Sequence, residues 1–128
     1  MTDLAALTAA LLCFRDERNW QQFHTLKDLI ISLNLEAAEL MELTQWKTDA
    51  DLAALKNDAD FRQHLKDECA DVLMYLLLVA EHSGIDLIEA AQEKMISNAA
   101  RYPVAKTYGS VQKAGAHVPA AEPAEDDA

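Results

Sequence analysis

The sequence predicts an all-α protein, a four-helix bundle protomer followed by a disordered tail, and three observations carry that expectation. All three glycines (Gly84, Gly109, Gly115) and all three prolines (Pro103, Pro119, Pro123) lie at or after residue 84, so residues 1–83 have neither residue to break a helix. Apolar residues in that stretch recur three and four apart, as along one face of a helix, and no segment reads as a strand. The 128 residues suffice for one domain.

Caps and periodicity divide the chain. A first helix fits residues 3–18, with Thr2 or Asp3 as N-cap. A second fits 26–47, entered through Thr25 with Asp28 three residues on, an acidic variant of the capping box. Residues 48–59 are polar and rich in Asp, which predicts a connection in which 51–56 could form one short helical turn. A third helix fits 61–82, with Asp60 as cap, Gln63 at its third position and Gly84 as terminator. The fourth starts after Asp86, has Glu89 at the capping-box position and stops near Tyr102 because Pro103 follows. Residues 1–110 then make one domain, and the Ala-, Pro- and acid-rich residues 111–128 read as a disordered tail.

Composition removes several functions. Eleven Lys and Arg stand against 22 Asp and Glu, a net charge of −11, so no basic face is available to neutralise a nucleic-acid polymer. A Walker A loop, a dinucleotide-binding glycine fingerprint and a G-x-S-x-G elbow all need closely spaced glycines that the chain lacks. The one apolar N-terminal run, residues 4–14, is short and interrupted by threonine, which fits neither a signal peptide nor a membrane span. Cys13 and Cys69 form no C-x-x-C pair and read as reduced, mostly buried thiols of a cytoplasmic protein.

Four carboxylates stand where a solvated acid would not. With Glu36 at zero and about 100° per residue, Leu29 falls near 20°, Leu33 near 60°, Leu40 near 40° and Leu43 near −20°, so Glu36 is centred on the apolar stripe. Glu39 sits at its edge, near −60°. On the third helix Glu68 is centred among Phe61, Leu65, Val72, Tyr75 and Val79, and Asp71 takes the edge position that Glu39 has on the second. Burying such charges is costly, and no Lys or Arg shares either stripe. Protonation, a cation from elsewhere in the fold or a bound metal must therefore compensate. An all-oxygen set selects a hard ion, Mg²⁺ with Mn²⁺ as substitute, and a helical di-iron site is excluded because no glutamate has a histidine three residues later.

The surrounding residues add a pattern. R-D-x-R-x-W-x-Q-F-H (15–24), E-x-x-E-L-x-E-x-x-Q-W (36–46), E-x-x-D-V-x-x-Y (68–75) and K-x-x-x-N-x-x-R-Y-P (94–103) follow in order. This series resembles the MazG-like all-α nucleoside triphosphate pyrophosphatases, and within them the dCTP pyrophosphatase branch. Leu35 stands where the broader motif has the first of two consecutive glutamates, so the narrower pattern fits better. Two further departures are Leu11, where animal members of the branch carry a histidine near the base, and Thr44, which replaces an aromatic.

The resemblance implies hydrolysis of a nucleoside triphosphate between its α and β phosphates, with Mg²⁺ on Glu36, Glu39, Glu68 and Asp71 and Glu39 orienting the water. Trp20 and Trp46 would wall the base, His24 and Asn98 would hydrogen-bond base or sugar, and Tyr75 would close the sugar pocket or bond a carboxylate. Arg101, Lys106 and Lys94 would hold the phosphates. Residues 72–80 are apolar on every side of their helix, more than a four-helix protomer covers, which predicts a homo-oligomer, a dimer or a tetramer.

Overall fold

The computed structural model describes residues 3–110, and among them the secondary structure is helical throughout. The tail expected over 111–128 lies outside the described residues. The helices are α1 (Leu4–Glu17), α2 (Leu26–Glu42), α3 (Asp49–Ala54), α4 (Ala59–Ser83), α5 (Leu87–Arg101) and α6 (Val104–Thr107), with one turn of 3₁₀ helix at Gln21–Phe23. Two compact units divide them, the first ending at Leu87 and the second starting at Ile88.

Polar side chains set the helix starts. Asp3 accepts a hydrogen bond from the Ala6 N–H at 2.8 Å, and Thr25 accepts one from Asp28 at 3.2 Å. At α3 the bonding is reciprocal: Thr48 Oγ1 accepts from the Asp51 N–H at 3.1 Å, and Asp51 accepts from the Thr48 N–H at 2.9 Å. Gly84 ends α4 with φ of 66°, a left-handed conformation that glycine adopts without a Cβ penalty.

Three boundaries differ from the sequence expectation. Helix α2 stops at Glu42 rather than 47, because Leu43, Thr44 and Gln45 each donate to the carbonyl three residues back and Thr44 Oγ1 also bonds the Met41 carbonyl. Trp46 then takes φ of 63°. Helix α4 starts at Ala59 because Asp58, not Asp60, is the cap, accepting from the Phe61 N–H at 2.9 Å. Pro103 ends α5 as expected but also opens α6, since its missing N–H is no loss at a helix start; with α3 in the expected connection, the described residues hold six α-helices instead of four.

The core of the first unit lies between α2 and α4, with α1 against α4. Leu29, Leu77, Leu78 and Ala80 are its buried apolar residues, and burial stabilises by roughly 1.5–3 kcal/mol for each leucine. Along α4, Leu73 and Leu76 are less covered, each remaining 37 % exposed. Both cysteines are exposed, not buried as expected, because each stands on a helix face turned away from this core; Cys13 instead donates to Glu17 at 3.3 Å.

Candidate functional site

The acids predicted from two separate helices meet. Glu36 and Glu39 on α2 and Glu68 on α4 each offer a carboxylate oxygen, and these three atoms lie within 4.8 Å of one another. Asp71, one turn beyond Glu68, stands beside the trio, and its charge acts on both Glu36 and Glu68. Glu36 Oε2 and Glu68 Oε2 are buried with no hydrogen-bond partner.

Burial first, then hydrogen bonding with Glu39, then the neighbouring negative charges push the Glu36 carboxyl above the usual carboxylate range. The same causes raise Glu68. Ion pairs among the described residues join Arg15 to Asp16 and Glu81 and Arg18 to Glu17, and none reaches the four acids. A cation supplied by the fold, one of the three ways to compensate the cluster, is thus not found there. The donor set fits a hard divalent ion: the ligand atoms are all oxygens, they converge, and two of them lack a partner.

Beside the cluster opens a cleft of about 460 Å³ within the first unit. Leu7, Leu11 and Phe14 of α1 and Met74, Tyr75 and Leu78 of α4 form its apolar walls, Trp20 adds an indole, and Glu36 and Asp71 belong to its lining. Trp20 is held edge-to-face against Phe14, with ring centroids 5.7 Å apart, and the Arg18 guanidinium lies 3.5 Å from the Phe14 ring centre. Tyr75 and His24 are half-buried and belong to this lining. Burial, and secondarily the charge of Arg15, lowers the pKa of His24, whose Nδ1 is buried without a partner.

The other expected residues are not in this lining. Trp46 is 92 % exposed in the turn after α2 and is not in the cleft wall. Lys94, Asn98 and Arg101 on α5 and Lys106 on α6 belong to the second unit, with Asn98 half-buried and the three cations exposed. Arg15 was missed. It is the buried charged residue of the described chain, at 7 % exposure, and it lines the cleft. The signal was available: Arg15 continues the Leu7, Leu11, Phe14 stripe of α1, so it is a charge on an apolar face, the feature that singled out Glu36.

A helical unit with an unbalanced cluster of carboxylates beside an aromatic-walled cleft defines a class, the all-α proteins equipped to hold a hard cation next to an organic ligand. Residues 31–116 match the MazG-like family. The chain belongs to that family. It is 41 % identical to rat (Rattus norvegicus) dCTP pyrophosphatase 1 over 100 residues and 39 % identical to the human (Homo sapiens) protein over the same length. In both, the match covers 78 % of this chain and 59 % of the relative, so the chain spans about three fifths of those proteins. Among solved structures, a pyrophosphatase from Archaeoglobus fulgidus superposes with a TM-score of 0.73 at 36 % identity, covering 80 % of this chain and 94 % of that one.

Proposed function

We propose that the chain is a nucleoside triphosphate pyrophosphohydrolase that releases a monophosphate and pyrophosphate, acting on dCTP or modified pyrimidine deoxynucleotides. The observation that carries this reading is the pair of buried, unpartnered carboxylate oxygens of Glu36 and Glu68 next to an aromatic-walled cleft. One end suits a cation and the phosphates it neutralises, the other a flat, largely apolar base. The names of the rat, human and archaeal relatives support the same chemistry.

Glu36, Glu39, Glu68 and Asp71 would hold Mg²⁺, or Mn²⁺ in its place. When bound, the ion supplies positive charge that lets a polyanion approach the acids and stabilises charge developing at the α phosphorus. Glu39, the exposed member of the trio, orients a water and accepts its proton. Trp20 and Tyr75 wall the base and sugar, and His24 hydrogen-bonds the base. The enzyme works in the cytoplasm as a dimer or tetramer, in which the exposed Leu73 and Leu76 face of α4 packs across a symmetry axis.

The test is a panel of dNTPs and NTPs with Mg²⁺, scored for products. Pyrophosphate release, highest with cytosine nucleotides, is expected. Orthophosphate release contradicts the bond assignment, a preference for dUTP or a purine moves the substrate, and no turnover at all makes the chain a helical binding module. A monomer by light scattering at micromolar concentration contradicts the assembly.

A further inference from the structure

A second, smaller cleft of about 170 Å³ is lined by Arg15, Gln21, His24, Leu29, Leu78, Glu81 and His82. Arg15, His24 and Leu78 belong to both linings. Arg15 and His24 therefore form the polar partition between the two spaces. The charges that act on Glu36 are those of Glu39, Asp71 and Glu68, whereas the charge that acts on His24 is that of Arg15. The cleft is thus lined by two acids, Glu36 and Asp71, and by a guanidinium and an imidazole, Arg15 and His24.

Arg15 is anchored without being exhausted. Its Nε donates to Asp16 Oδ1 at 2.8 Å and its Nη1 to Glu81 Oε2 at 3.3 Å. A guanidinium has five N–H donors in a planar fork, so three remain, on Nη1 and Nη2, next to one another. Two adjacent donors in a plane match two adjacent acceptors in a plane. His24 Nδ1 is buried without a partner, and as the bare nitrogen of a neutral imidazole it accepts one hydrogen bond.

We propose that Arg15 is the specificity-determining residue of the site: its fork donates to O2 and N3 of a cytosine ring while His24 Nδ1 accepts from the 4-amino group. This deepens the nucleotide reading above and rests on it. Cytosine presents acceptor, acceptor, donor along that edge. Uracil and thymine present acceptor, donor, acceptor, so N3–H would face an N–H of Arg15 and O4 would face the bare imidazole nitrogen. Two buried polar groups would then be left opposed, the kind of mismatch by which a hydrogen-bonding site rejects an analogue. Asp16 and Glu81 neutralise the guanidinium and fix its plane, so that orientation is set before the ligand arrives.

The experiment compares kcat/KM for dCTP, dUTP and dGTP, and binding of dCMP and dUMP read by tryptophan fluorescence, in the full chain and in Arg15→Lys, Arg15→Gln and Glu81→Gln. Arg15→Lys keeps the charge and loses the fork, so the dCTP to dUTP ratio should fall by about ten- to a hundredfold, with the change in KM and in dCMP binding. Glu81→Gln keeps the fork but loosens its plane, so its ratio should fall too, by less than that of Arg15→Lys. Equal proportional losses on dCTP and dUTP in the Arg15 variants would overturn the proposal and leave Arg15 a structural residue. A parent preference for dGTP, whose O6 and N7 also form an adjacent acceptor pair, would overturn the assignment to cytosine. A parent that turns over nothing but binds dCMP over dUMP through Arg15 would sustain base reading and sink the hydrolase; one that does neither sinks both.

Discussion

The first unit places charge among apolar groups in two ways. Arg15, on α1, has a side chain that is 8 % exposed and carries its counter-charges with it, Asp16 from its own helix and Glu81 from α4. Glu36, Glu39 and Glu68 have been brought together with Asp71 beside them and no cation among the described ion pairs. The fold completes the positive site and leaves the negative one incomplete. A buried charge that the protein itself neutralises serves orientation, whereas a cluster of like charges that it does not neutralise is built for something that arrives from outside.

The largest expected effect breaks the negative site. Glu36→Ala or Glu68→Ala should lower nucleotide hydrolysis by about 10²–10³-fold, as loss of an electrostatic stabiliser does, measured as pyrophosphate released per minute. Retained activity would remove these acids from the chemistry.

Next in size is the effect of the cation itself. At about 100 times its dissociation constant, Mg²⁺ should stabilise the chain by about 2.7 kcal/mol, read as a rise in Tm that EDTA reverses. The sign with pH follows from the raised carboxyls. Folding lifts Glu36 and Glu68 above their ordinary values, so the folded state holds more protons between the two values. The strain of the cluster is absent below the ordinary carboxylate range and grows as pH rises through the raised values. The Mg²⁺-induced rise in Tm should therefore be larger at pH 7.5 than at pH 5, and equal rises would contradict the cluster as the binding site.

A smaller effect separates the two sites by sign. In the metal-free protein Glu36→Gln should raise Tm, because it removes an unbalanced charge, while Glu81→Gln should lower stability by about 1 kcal/mol, because it strips a partner from Arg15. Both are read by thermal melting. The smallest effect is at Trp46, whose exposure predicts a change below about 0.5 kcal/mol in protomer stability for Trp46→Ala.

Much of this was legible before any coordinates. The caps at Asp3 and Thr25 and the stop at Gly84 are local chemistry, written in a few consecutive residues, and they formed as read. The acids could be paired across helices because each pair occupies the same angular position on its own stripe, so packing the two stripes together brings Glu36 and Glu39 to Glu68. What was not legible depended on competition between near-equal local choices. Asp58 and Asp60 are both good caps two residues apart, and only the bond from the Phe61 N–H decides between them. The end of α2 turns on Thr44 bonding back to Met41, which a pattern of apolar spacing does not record. Arg15 stands on the stripe of α1, but its burial rests on Glu81 of α4, a partner distant in sequence that local spacing does not record.

The central claim is that the carboxylate cluster is a cation site left open by the fold. Calorimetric titration of Mn²⁺ into the metal-free chain, into Glu68→Gln and into the exposed-acid control Asp49→Asn tests it most directly. The account predicts saturable binding to the parent and the control and a loss of about 10–100-fold in affinity in Glu68→Gln. Equal binding by all three proteins, or none by the parent, would contradict it.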